Sequence, residues 1–151
     1  MSALIAPNSL HRVALRKVLD RLHVQAGNPF SMVAFEAAYR EGEGWLEGLL
    51  AYLQETLDFV RIYLSRHLPG IRLIEPEGTY LLWLDCRSLG MNDEALKHFF
   101  VQEAGVGLSP GTVFGMEGSG FMRMNIGTPR RIVAVALEKI KCALEAREGC
   151  K

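Results

Sequence analysis

Among the residues of this chain whose type and spacing could do chemistry, Arg123 stands first. It lies in GFMRMNIGTPR, residues 120–130. The alternation predicts a strand over Phe121–Ile126, with Phe121, Arg123 and Asn125 on one face and Met122, Met124 and Ile126 on the other. A guanidinium in the middle of such a strand has two explanations. It pairs with a local acid at a sheet edge, or it binds a carboxylate from outside through two parallel hydrogen bonds from its planar fork. Each charge-assisted bond contributes about 1.5–3 kcal/mol when shielded from water. Spacing does not decide between them.

Other chemistries lack their residues. The sequence has no GxSxG nucleophile elbow, no P-loop, no GxGxxG opening a helix and no HExxH. The glycine-rich stretch SPGTVFGMEGSG leads into a strand, so it lacks the helix N-terminus that favours phosphate, and it reads as a mobile connection. Cys86, Cys142 and Cys150 are odd in number and show no CxxC spacing. They read as free thiols rather than a disulfide framework or a zinc site. His11, His23, His67 and His98 are scattered and read as surface or helix-terminal residues. Glu75 and Glu77 flank a turn proline and read as solvated. Tyr80 and Trp83 read as core aromatics.

Composition sets the outer bounds. The 151 residues suffice for a hydrophobic core, and 49% hydrophobic with 23% charged residues describes an ordinary globular chain. Seventeen basic and seventeen acidic side chains give a net charge of zero. That removes the general electrostatic case for a nucleic-acid or anionic-membrane partner. No apolar run is long enough to span a bilayer, and MSALIAPNSLHR lacks the apolar core of a signal peptide. Cytoplasmic is therefore the expected location.

The elements that must position Arg123 follow from periodicity. SALIAP is expected as a short strand, followed by a helix from Asn8 or Ser9 through about His23. Gly27 and Pro29 then break the pattern before a helix over Met32–Arg40, and EGEG reads as a turn. The strongest signal is a helix from about Trp45 to Leu68. Its stripe comprises Leu46, Leu49, Leu53, Leu57, Val60, Leu64 and Leu68. At 1.5 Å per residue it would be about 36 Å long, enough to bridge two lobes. Pro69-Gly70 stops it. Ile71–Ile74 reads as a strand, residues 75–78 as a turn, and Thr79–Asp85 as a strand buried on both faces. Asn92 or Asp93 is expected to cap a helix through Glu103, with Gly105 just past its end. Val106–Leu108 reads as extended. Thr128 and Pro129 would begin a last helix with the stripe Val133, Leu137, Ile140 and Leu144. The order strand, strand, helix, strand, strand, helix predicts an α+β fold. Its small, mostly antiparallel sheet would carry helices on one face, leaving Arg123 and Asn125 on the other.

At this point the sequence resembles a known family. GFMRMNIGTPR is similar to the carboxylate-binding segment of the fold-type I pyridoxal-phosphate enzymes, the aspartate aminotransferase superfamily. AFEAAYREGEGWLEGLLAYLQETLDF, EPEGTYLLWLDCRSLGM and AGVGLSPGTVFGMEGSGFMRMNIGTPR occur in the family's order. Together they look most like the class I/II aminotransferase-like branch that holds the cystathionine β-lyases related to the maltose-regulon modulator. The likeness runs from about Ala3 to Leu144.

The resemblance implies an aminotransferase small C-terminal domain over 71–151, an interdomain connecting helix over 45–70, and a remnant of the large cofactor-binding domain over 1–44. It implies that Arg123 binds the α-carboxylate of an amino-acid substrate, with Tyr80 in the strand beside it and Asn125 near the same cleft. It also implies pyridoxal 5′-phosphate (PLP) and a homodimer for the full-length enzyme, whether that enzyme performs transamination or β-elimination. None of Lys17, Lys97, Lys139, Lys141 or Lys151 lies in the family's S-x-x-K context. By that likeness the chain is expected to hold no cofactor and to be inactive without the missing large domain. The alternative is a free-standing amino-acid-binding or protein-interaction module that kept the fold without catalysis, or one whose open sheet face became a self-association surface.

Overall fold

The computed structural model describes residues 4–24 and 28–148. Gly27, Cys150, Lys151 and the first residues of the strand expected at the N-terminus lie outside this range. The chain divides into two compact units, Met1–Leu49 and Leu50–Lys151.

In the first unit, Asn8 caps helix α1 (Ser9–Arg21), its side chain accepting the Leu10 N–H at 2.8 Å. Leu4–Ala6 form no strand. Helix α2 (Pro29–Glu41) starts three residues before the position expected from periodicity. Asn28 accepts the Ser31 N–H at 2.9 Å, and Pro29, with no N–H to satisfy, opens the helix. The turn expected at EGEG shrinks to Gly42, because α3 (Glu43–His67) already includes Glu43 and Gly44. Neither α1 nor α2 buries a residue.

In the second unit, α3 buries its stripe from Leu53 onward, through Leu57, Val60 and Leu64, with Leu68 just past its end. Four strands follow: β1 (Arg72–Ile74), β2 (Leu81–Asp85), β3 (Ser109–Pro110) and β4 (Phe121–Asn125). They form one antiparallel sheet in the order β1-β2-β4-β3. Leu82, Leu84, Met122 and Met124 fill one of its faces, as alternation requires. Ile126, just past β4, is buried with them. The core is completed by Leu96 on α4 (Asp93–His98), by Phe99 and Phe100, and by Val133, Leu137 and Ile140 on α5 (Arg130–Glu148). Full burial of such a side chain contributes about 1.5–3 kcal/mol.

Several boundaries differ from the sequence expectation for local reasons. Thr79 has φ +66° and Tyr80 lies in the same turn, so β2 starts at Leu81. The helix capped by Asn92 continues through Glu103, but its last turn, Phe99–Glu103, has π geometry. Gly105, at φ +62°, follows it as expected of a residue past a helix end. The extended pairing falls at Ser109–Pro110 rather than Val106–Leu108. Helix α5 begins at Arg130, where Tyr52 Oη accepts the Arg130 N–H at 2.6 Å and donates to the Thr128 carbonyl at 3.3 Å. Among the described residues no helix is long and apolar enough to cross a membrane.

Candidate functional site

Arg123 projects from an inner strand, between β2 and β3. Directly opposed residues share a face, and Arg123 opposes Trp83 on one side and Ser109 on the other. That face also carries Arg72, Ile74, Leu81, Asp85, Phe121 and Asn125. It is the face turned away from the core, as alternation predicts for Arg123 and Asn125.

Arg123 is half-buried. Its guanidinium carbon lies 4.6 Å from the centre of the Phe114 ring, and one terminal nitrogen donates to Ser109 Oγ at 3.3 Å. It makes no ion pair with any acid among the described residues. Pairing with a local acid, one of the two explanations open at the sequence level, is therefore not realised. A guanidinium has five N–H donors in a fixed plane, so most of this fork is free for an outside acceptor.

Asn125 and Tyr80 sit at the end of β4. Asn125 is exposed, and its Oδ1 accepts the Gly127 N–H at 2.7 Å. The Tyr80 carbonyl accepts the Ile126 N–H at 2.9 Å. Tyr80 is 47% exposed and stands in the turn before β2, so it is neither core nor in the strand beside Arg123. Trp83 is half-buried and lies on Arg123's own face, not in the core, so β2 is not buried on both faces.

Trp83 belongs to a row of stacked groups that periodicity alone did not reveal. Phe114 meets it edge-on, with centroids 5.7 Å apart and planes at 72°. Phe121 stacks against it at 5.7 Å and 17°. Arg87 lies over Phe121 at 4.8 Å and forms a two-pronged pair with Asp85 at 2.9 and 2.8 Å. These bonds hold the Asp85 carboxyl down at about 2, against the penalty of its burial.

The loop bearing Phe114 is more than a connection. It contains two 3₁₀ turns, Gly111–Phe114 and Met116–Gly118. Its ends cross closely: a Cβ on Gly111 would stand 2.1 Å from the Gly118 carbonyl oxygen. Asp93 accepts the Ser119 hydroxyl and the Gly120 N–H, each at 2.8 Å, and ties the loop to the start of α4.

Glu75 pairs with Arg61 at 2.5 Å, and so is not simply solvated. His11, His23, His67 and His98 are exposed, His98 beside Glu103 at 3.2 Å. No cluster of His, Cys, Asp or Glu among the described residues could hold a metal ion.

The chain resembles characterised proteins over nearly its whole length. It is 36% identical over 143 residues to cystathionine β-lyase PatB of Bacillus subtilis, covering 95% of this chain and 37% of that protein. Its fold matches cystalysin from Treponema denticola, whose structure contains pyridoxal 5′-phosphate, with a TM-score of 0.89 at 29% identity. That match covers 94% of this chain and 36% of cystalysin. The PLP-bound C–S lyase from Staphylococcus hominis in complex with L-cycloserine gives a TM-score of 0.77 at 37% identity, covering 87% of this chain and 32% of the enzyme. The chain belongs to the fold-type I PLP-dependent enzymes, in their aminotransferase and cystathionine β-lyase branch. No family model matches the chain. It spans about a third of the length of the relatives it matches.

A PLP site of this family needs a lysine for covalent attachment. Lys17 lies on α1 in the first unit, Lys97 on α4, and Lys139 and Lys141 on α5, with Lys139 lining a cavity that Asn125 also borders. Lys141 is also paired with Glu138 at 3.4 Å.

Proposed function

We propose that this chain is the substrate-carboxylate-binding portion of a PLP-dependent aminotransferase or C–S β-lyase acting on amino acids. Residues 71–151 act as the small domain, 45–70 as the connecting helix, and 1–44 as part of the large domain. In this reading Arg123 grips the α-carboxylate, with Asn125 and Tyr80 at the edge of the same site. The observation that carries the proposal is the half-buried Arg123 fork, supported from below by an aromatic ring and lacking an acidic partner among the described residues. Family membership supplies the ligand class. Arg123 contributes binding and orientation, since a substrate held through two bonds presents its Cα in one attitude. The lysine, the cofactor contacts and the second copy of a homodimer belong to the full-length enzyme, and this chain alone is inactive.

Titration calorimetry tests the binding role. L-alanine is expected to bind saturably and L-alaninamide, which lacks the carboxylate, is not. Arg123→Ala should abolish the difference. Equal binding of the two ligands, or an unchanged affinity in Arg123→Ala, overturns the reading.

A further inference from the structure

We infer that Phe114 is a positioning residue for the carboxylate site: its ring fixes the plane of the Arg123 guanidinium so that the free edge of the fork meets the ligand. The inference rests on the carboxylate-binding reading of Arg123 and adds a residue that this reading does not require.

An arginine side chain carries about 2 kcal/mol of rotamer entropy, and a fork left to wander loses much of its affinity when it is ordered on binding. Ser109 alone cannot order it, because a single hydrogen bond at 3.3 Å leaves the guanidinium free to swing about that contact. The Phe114 ring, 4.6 Å from the guanidinium carbon, adds the second restraint. A ring attracts a cation through its face without using any N–H donor. The planar edge that a carboxylate needs is thus left open.

The ring is itself held. Trp83 abuts its edge, Phe121 backs Trp83, and Arg87 caps Phe121 while tied to the buried Asp85. The close crossing of Gly111 and Gly118 and the two Asp93 hydrogen bonds fix the loop from the other side. Phe114 remains 53% exposed, which is the cost of presenting an aromatic face beside an accessible guanidinium. Packing alone does not explain a phenylalanine there, since its burial is incomplete.

The test uses the full chain, the Arg123 Nε–Hε resonance and L-alanine as the probe. Over an aromatic face that proton should be displaced from its ordinary position by the ring. Phe114→Leu keeps apolar bulk but removes the ring. It should return the resonance to the ordinary position and weaken L-alanine binding about two- to thirty-fold, the range of cation–π contacts from exposed to desolvated. Phe114→Trp should restore both, which a purely structural role would not require. Wild-type affinity in Phe114→Leu, whether or not the resonance moves, overturns the inference alone. Absence of L-alanine binding to the unsubstituted chain overturns the carboxylate reading and this inference with it.

Discussion

Trp83 and Arg123 stand directly opposite each other across the β2–β4 pair, and both touch the ring of Phe114. Trp83 is thus a built-in reporter of the guanidinium beside it. The chain has two tryptophans, so Trp45→Phe leaves Trp83 as the sole indole. In that background L-alanine should change the tryptophan emission along a saturable curve, and Arg123→Ala should flatten it. A response that survives Arg123→Ala would place the ligand elsewhere. Trp83→Leu should weaken binding by less than Phe114→Leu does, because the ring that the guanidinium lies over is that of Phe114.

The Asp85–Arg87 pair at the other end of the row predicts an acid-dependent loss of stability. The hydrogen bonds from Arg87 hold Asp85 at about 2, below the ordinary 3.8, so folding favours the ionised form. The resulting stabilisation is fully present above about pH 4. It is lost as the pH falls from there towards about 2. Because Arg87 is 62% exposed, water screens the pair, and the contribution is small. Glu103, held at about 2 by Arg147 and also by His98, loses its interactions over the same range, so the wild-type curve alone is ambiguous. The measurement is therefore the urea-unfolding difference between wild type and Asp85→Asn. It should shrink between pH 5 and pH 2.5, and a constant difference would exclude the linkage.

Much of this arrangement is legible in the sequence because it depends on short-range periodicity. The faces of β4, the long helix, the Asn92 cap and Gly105 past the helix end all follow from local spacing. The support beneath Arg123 does not. Trp83 and Phe121 are brought into register by long-range pairing, and the alternation of β2 cannot say which of its faces meets the helices. Phe114 sits in a glycine-rich loop whose close crossing at Gly111 and Gly118 has no local signature. The core position expected of Tyr80 fails for a related reason: aromatic residues suggest a strand, but the left-handed Thr79 keeps the chain in a turn until Leu81.

The two described cysteines should differ sharply in reactivity. Cys86 is 1% exposed, and burial, reinforced by the neighbouring Asp85 charge, pushes its thiol up to about 12. The thiolate is the nucleophile, so Cys86 should resist iodoacetamide in the folded chain at pH 8. Cys142 is exposed on α5 and should be alkylated. Peptide-level mass spectrometry distinguishes the sites. Cys86 labelling should appear only on adding denaturant, and labelling at equal rates under native conditions would contradict its burial.

The distribution of buried side chains makes a final prediction about which part of the chain carries the stability. Among the described residues every buried apolar side chain lies at or after Leu53, whereas α1 and α2 bury none. Removing residues 1–42 therefore sacrifices little transfer free energy and should leave a cooperatively unfolding chain with nearly the original midpoint. The truncated chain should also self-associate less, because it loses Leu10, Val13, Val18, Phe30, Met32 and Val33, all exposed and apolar. A contrasting substitution calibrates the measurement. Leu137 is fully buried on α5, and Leu137→Ala should cost about 2–5 kcal/mol through lost burial and the cavity left behind. Urea unfolding and light scattering on the truncated and substituted chains provide the comparison. A truncated chain that unfolds without cooperativity would show that residues 1–42 stabilise the fold although none of their described side chains is buried.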